Sequence, residues 1–224
     1  MSYGNRIFTT IERSDPKLVD MLKDLPVANI ADNMNRMCCL DGLHPVARNT
    51  RLAGTAITVR APGGDNLMFH KAIDLAQPGD VIVFSSITPN SRSIIGAIGA
   101  TMSKAKGIAG FVIDGNIRDI EDIQALGFPV YCRGVNADGP FKNGPGEVNV
   151  PIAIGGQVIF PGDIIIGDGD SVCVIRPEFA AEAAQKAAAL CEAEAGKFKT
   201  INETGMLRRP WVDEVLAAKK TEII

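Results

Sequence analysis

Two uninterrupted apolar runs, Val81-Ile82-Val83-Phe84 and Phe111-Val112-Ile113, constrain this chain more than any other feature. A strand with one wet face alternates apolar and polar residues. A run without that alternation reads as a strand buried on both faces, as in parallel sheets. Between the runs, Ser91 to Lys106 is rich in small residues and stops at Gly107, where a glycine C-cap belongs. Strand, helix and strand in that order make a crossover unit, so we predict an α/β fold.

The flanks extend the pattern. Ala56 to Arg60 reads as a strand, Ala61 to Gly64 as the loop after it, and Asn66 to Ala76 as a helix. Asp15-Pro16 opens a short helix that Pro26 ends, and a second runs from Val27 to Met37. Residues 130–132, 148–150, 157–160, 164–166 and 171–175 are short apolar strands split by Gly/Pro/Asp turns, the spacing of hairpins or a small barrel. Pro-Gly-Asp precedes a buried strand twice, at 78–80 and 161–163, which we read as a duplicated turn. Arg176-Pro177 opens an alanine-rich helix to Gly196, and a short amphipathic helix follows Pro210. We expect one domain over residues 1–224, with N-terminal helices and a C-terminal helical tail.

Composition excludes several classes. At 224 residues the chain can bury roughly 70% of its unfolded surface. With 23 Lys+Arg against 26 Asp+Glu it lacks the basic excess of a nucleic-acid binder. No stretch approaches the ~20 apolar residues of a membrane span. Residues 1–13 lack the basic-then-apolar order of a signal peptide, so a cytoplasmic location is expected. Five cysteines without a Cys-x-x-Cys pair argue against a disulfide framework or a structural zinc site. With only His44 and His70, any metal would rest on oxygen ligands, which points to Mg²⁺ or Mn²⁺. There is no Gly-x-Ser-x-Gly elbow and no phosphate-binding Gly-x-x-x-x-Gly-Lys loop.

Chemistry concentrates in Phe111 to Asp122. A buried strand runs through a glycine turn and presents Arg118 and Asp119 where the next helix begins, and ligands in α/β folds bind at the carboxyl ends of strands. Arg118 offers a planar fork for a carboxylate or enolate oxygen, and Asp119 a hard ligand for a divalent cation. Asp122 follows on the same helix face. Acids in a first helical turn also complement the helix dipole, and these residues alone leave the two readings level. Small residues at 96–100 offer free backbone amides to an anion, or simply close helix–strand packing. Asp65 and Asn66 read as helix caps or as part of an active-site loop. His70 reads as structural, Gly167 to Asp170 as a hairpin turn, and neither Lys71 nor Lys104 has the apolar setting of a Schiff-base lysine.

In combination, Asp114-Gly-Asn-Ile-Arg-Asp119, Gly144-Pro-Gly-Glu-Val-Asn-Val-Pro151 and the two Pro-Gly-Asp turns resemble the RraA-like family, over about residues 25 to 195. Within it the likeness is to the 4-hydroxy-4-methyl-2-oxoglutarate / 4-carboxy-4-hydroxy-2-oxoadipate aldolases. The resemblance implies an α/β/β swivelling-domain-like sandwich or small barrel with flanking helices, assembled as a homotrimer or homohexamer with active sites at subunit clefts. It implies a divalent-metal-dependent lyase that works through a pyruvate enolate. Such an enzyme cleaves 4-hydroxy-2-oxo acids, decarboxylates oxaloacetate, or does both. By the same resemblance, Arg118 holds the pyruvyl oxygens and Asp119 the Mg²⁺ or Mn²⁺. The backbone at Gly96, Ala97, Ile98 and Gly99 binds the pyruvyl carboxylate, Asp122 is an acidic position near the site, and Glu194 corresponds to a glutamate reaching from the adjacent subunit. Ala97 departs from the aldolases, which carry there an Asp or Glu that relays a proton to the enolate. Asp65 or that neighbouring glutamate is the alternative source of the proton. The family also contains regulators of ribonuclease E activity that dock onto protein partners and lack the acid after the arginine. A methyltransferase label attached to the family finds no Gly-x-Gly-x-Gly cofactor loop here.

Overall fold

The structure is a computed structural model that describes residues 2–47 and 50–224. The chain forms two compact units, one up to Ala187 and one from Ala188 to Ile224. In chain order the elements are β1 (Asn5–Ile7), α1 (Pro16–Leu22), α2 (Val27–Asn33), β2 (His44–Pro45), β3 (Leu52–Ala61), α3 (Leu67–Leu75), β4 (Asp80–Ser86), α4 (Ala97–Ala105), β5 (Gly110–Ile117), α5 (Ile120–Leu126), β6 (Val130–Val135), β7 (Gly146–Val148), β8 (Ile152–Ile154), β9 (Gln157–Ile159), β10 (Ile164–Gly167), β11 (Val172–Ile175), α6 (Pro177–Thr204) and α7 (Pro210–Ala218).

The first unit is built on a mixed sheet in the order β1-β7-β3-β4-β5-β6-β2, and β10 pairs with both β3 and β11. Strands β3 to β6 run parallel to one another. The two apolar runs lie at its centre, and the pleat explains them. Ile82, Phe84, Phe111 and Ile113 enter one core with Phe69 and Ile73 of α3 and Ile123 of α5. Val81, Val83 and Val112 point the other way, into a second core with Ile152, Ile154 and Ile159 of the β8–β9 hairpin. Successive residues therefore leave water on opposite faces, and no polar residue interrupts the run. Phe69, Phe111 and Phe128 stack edge to face, with centroids 5.0 and 4.9 Å apart, and tie α3 to the sheet. A third core joins α1, α2, β10, β11 and the start of α6. The expected α/β fold, a sheet flanked by helices, is what these residues build.

Some boundaries differ from expectation. The helix predicted from Ser91 starts only at Ala97. Ser93 donates its backbone N–H to the Asp138 carbonyl and Ile94 donates to Asn116, so these amides extend the sheet and leave a helix without them. The second helix stops at Asn33, before the left-handed pair Asn35 and Arg36. Strand β7 ends at Val148 because Asn149 turns left-handed. Helix α6 continues through Gly196 to Thr204. The 167–170 segment is the expected hairpin turn, and the Asp168 carboxylate also caps α2 by accepting the Val27 N–H. In the second unit, α7 buries none of its residues.

The repeated Pro-Gly-Asp turn has one geometry in both copies. Each aspartate is buried, and each accepts the N–H three residues upstream: Gln77 to Asp80 at 2.7 Å, Phe160 to Asp163 at 2.8 Å. Each glycine sits at a positive φ, 85° and 96°, that favours glycine. Arg13 grips Asp80 with two nitrogens, at 3.0 and 2.8 Å. Arg176 Nε lies 3.0 Å from Asp163 but out of line for a hydrogen bond, and its guanidinium stacks on Phe160. Burial pushes the Asp163 carboxyl up despite Arg176. Removing one partner of a buried ion pair leaves the other charge stranded. Arg13→Ala is therefore expected to cost about 3 kcal/mol of stability, read as a lower urea midpoint, and Arg176→Ala distinctly less.

Candidate active site

Strand β5 delivers the candidate pair. After Ile117 the Arg118 N–H donates to the Ile95 carbonyl at 3.1 Å, which ends the strand against the loop before α4. Asp119 then adopts a left-handed conformation, φ 59° and ψ 43°, that aspartate tolerates better than most residues. As N-cap of α5 it gives its carbonyl to the Ile123 N–H, and its side chain turns toward α4.

There the Asp119 Oδ2 accepts the Ala97 N–H at 3.0 Å. Ala97 is the first residue of α4, whose own N-cap, Gly96, offers no side chain. The carboxylate thus occupies one of the donors that a helix start leaves free. Ile98 and Gly99, next in the same turn, have no intrahelical acceptor for their amides either. Ile98 exposes its side chain, and Gly99 is buried.

Gly96 is a glycine because of this contact. Its φ of −138° suits any residue, but an added Cβ would stand 2.2 Å from Asp119 Oδ2 and 3.0 Å from Arg118 Cγ. Gly96→Ala is expected to displace the Asp119 carboxylate without disturbing the cores. Any activity resting on Asp119 should fall at least tenfold while the melting temperature moves by a few degrees at most. Parallel activity and melting measurements check both halves.

Arg118 approaches its neighbour only loosely, Nε to Oδ2 3.9 Å, with both side chains about two-fifths exposed. A pair so placed contributes little to stability, and the guanidinium keeps its donors for another anion. Its Nη1 lies 3.0 Å from where a Cβ of Gly139 would be.

The remaining predicted residues fall in other settings. Asp122 is exposed on the first turn of α5 with Glu121. Asp65 is buried and fully engaged: Oδ1 caps α3 through the Leu67 N–H, and Oδ2 accepts the N–H groups of Asn143 and Gly144. Glu194 lies on α6 in the second unit. His70 packs its Nε2 3.1 Å from Asn66 Nδ2, which also donates to the Ile94 carbonyl at 2.9 Å, so Nε2 is the acceptor and the ring is neutral. Burial and then the Lys142 charge lower its pKa in agreement. Among the described residues no group of three or more His, Cys, Asp or Glu could hold a metal ion. Reading the sequence did not single out Gly139, which the fold brings beside Arg118, or Arg92 and Phe141, which meet each other next to that glycine. A lone loop arginine carries no signal of its own.

Three comparisons give this geometry a context. Residues 27–174 match the RraA-like (Aldolase/RraA) family. A relative from Halalkalibacterium halodurans, named "Putative 4-hydroxy-4-methyl-2-oxoglutarate aldolase", is 35% identical over 207 residues, 92% of this chain and 99% of the relative. An uncharacterized protein from Pseudomonas syringae superposes with a TM-score of 0.78 at 27% identity, over 87% of this chain and 96% of that one. Streptomyces coelicolor RraAS2, described as an unusual member of the RNase ES inhibitor RraA protein family, gives 0.74 at 26% identity, over 86% and 100%. The fold, the matched residues and these relatives agree: the chain belongs to the RraA-like family.

Proposed function

We propose that the protein is a metal-dependent lyase that generates a pyruvate enolate, by retro-aldol cleavage of a 4-hydroxy-2-oxo acid or by decarboxylation of oxaloacetate. The observation that carries this reading is the Arg118–Asp119 pair at the carboxyl end of β5, with Asp119 held at the first turn of α4. The aldolase name of the relative at 35% identity supports it.

In this reading the Ile98 and Gly99 amides take the pyruvyl carboxylate, because the Ala97 amide is committed to Asp119. Arg118 donates to the pyruvyl oxygen, where negative charge grows as the carbon–carbon bond breaks. The second Asp119 oxygen suits a hard cation, which fits a site of one carboxylate completed by water and substrate oxygens. Mg²⁺ or Mn²⁺ would supply Lewis-acid stabilisation of that charge. Asp122 is close enough in sequence to orient water around such an ion. Asp65 is spent on backbone donors, so the proton that Ala97 cannot relay comes from solvent or from a glutamate such as Glu194 of a neighbouring copy. A homo-oligomer accords with the second unit, where Phe198, Met206 and Trp211 are exposed.

The second reading is a non-catalytic regulator, favoured by the likeness to RraAS2. An assay coupling pyruvate release to NADH oxidation, run on 4-hydroxy-4-methyl-2-oxoglutarate and on oxaloacetate, with Mg²⁺ and after chelation, separates the two. A lyase gives metal-dependent release. Release that is absent, or that survives chelation unchanged, contradicts the proposal.

A further inference from the structure

Arg92 has no ion-pair partner, although its guanidinium is held in place. It lies on the loop between β4 and α4, and no carboxylate among the described residues is within 4.0 Å of it. Of the other described arginines in the first unit, only Arg51 shares that condition. Three contacts fix Arg92. Its N–H donates to Asn90 Oδ1 at 2.8 Å, its Nη1 donates to the Gly139 carbonyl at 2.9 Å, and its guanidinium stacks 4.5 Å from the Phe141 ring centroid. The platform is fixed in turn: Phe141 donates its N–H to Gly64 and accepts from Asn66 through its carbonyl, at 2.7 and 3.0 Å. Gly64, at φ 76°, comes so close that a Cβ would meet the Arg92 Cβ at 3.1 Å.

Arg118 approaches Gly139, whose carbonyl holds Arg92, with its Nη1 3.0 Å from where a Cβ would stand. Backbone dimensions then put the two Nη1 atoms within about 9 Å of each other. Two guanidiniums no farther apart than that, one of them anchored, can reach the two ends of a four- or five-carbon dicarboxylate, whose carboxylates would each accept hydrogen bonds of about 2.8 Å. We infer that Arg92 is a second carboxylate anchor that selects 2-oxo acids carrying a distal carboxylate over those ending in a methyl group. The inference rests on reading Arg118 as the anchor of the pyruvyl end. Arg92 keeps four N–H donors beyond the one given to Gly139, and stacking on Phe141 holds the fork without neutralising it.

The test is calorimetric titration of the whole protein, in Mg²⁺, with pyruvate and with 2-oxoglutarate, which differ by the distal arm. Wild type is expected to bind 2-oxoglutarate more tightly. Arg92→Gln should weaken 2-oxoglutarate by roughly ten- to a hundredfold and leave pyruvate within about twofold, with Arg92→Lys between them because it keeps charge but loses the fork. Unchanged melting temperatures show that both variants are folded. A wild-type preference that survives in Arg92→Gln overturns the inference, as does a wild type with no preference. If wild type binds neither acid, the pyruvyl reading of Arg118 falls with it. If it binds 2-oxoglutarate through Arg92 yet releases no pyruvate from any substrate, the lyase falls and the anchor stands.

Discussion

Arg118→Lys is expected to lower pyruvate release roughly a hundredfold, since one donor aimed at developing negative charge is worth about 3 kcal/mol in the barrier. Lysine keeps the charge but loses the planar fork, so the loss measures geometry and not only electrostatics. The fold should not notice. Arg118 pairs only at 3.9 Å with a partly exposed Asp119, and its structural tie to Ile95 runs through the backbone N–H, which the substitution keeps. Steady-state kinetics beside a thermal melt checks both statements. Wild-type rates from Arg118→Lys would remove it from the mechanism.

Asp119→Asn should abolish metal-dependent release and weaken Mn²⁺ binding by more than about tenfold, because a neutral amide is a poor partner for a hard cation. The change is nearly isosteric. An asparagine can turn its Oδ1 to the Ala97 N–H and preserve the start of α4, which isolates charge from shape. Water-proton relaxation with Mn²⁺ reads the affinity without any substrate. Unchanged Mn²⁺ binding would place the ligand elsewhere, with Asp122 the next acid to examine.

Much of the fold was legible because its central strands are buried twice. Val81–Phe84 and Phe111–Ile113 carry no polar residue, and the pleat sends alternate side chains into two different cores. The start of α4 was not legible. Ser91 to Gly96 contain no proline to stop a helix, but Ser93 and Ile94 give their amides to partners more than twenty residues away. The site divides in the same way. Arg118 and Asp119 were visible as an ionisable pair between a buried strand and a helix. What holds them was not: the Asp119–Ala97 bond and the close approach at Gly96 both span the crossover. Asp65 shows the opposite failure, since an acid in a glycine-rich loop looks reactive until three backbone donors account for its carboxylate. Arg92 was silent because its meaning lies in Gly139 and Phe141, which only the fold supplies.

The central claim is that this protein stabilises a pyruvate enolate, and oxaloacetate tests it most directly. Decarboxylation reaches the enolate without removal of a hydroxyl proton, so the alanine at position 97 bears only on the later protonation of that enolate, which solvent can supply. The measurement is the rate of pyruvate formation from oxaloacetate at fixed Mg²⁺, with and without protein, so that decarboxylation by the free metal is subtracted. The account predicts a protein-dependent rate that scales with protein concentration, vanishes on chelation and falls about a hundredfold in Arg118→Lys. A rate equal to the metal-only background, or one that Arg118→Lys leaves unchanged, would contradict it.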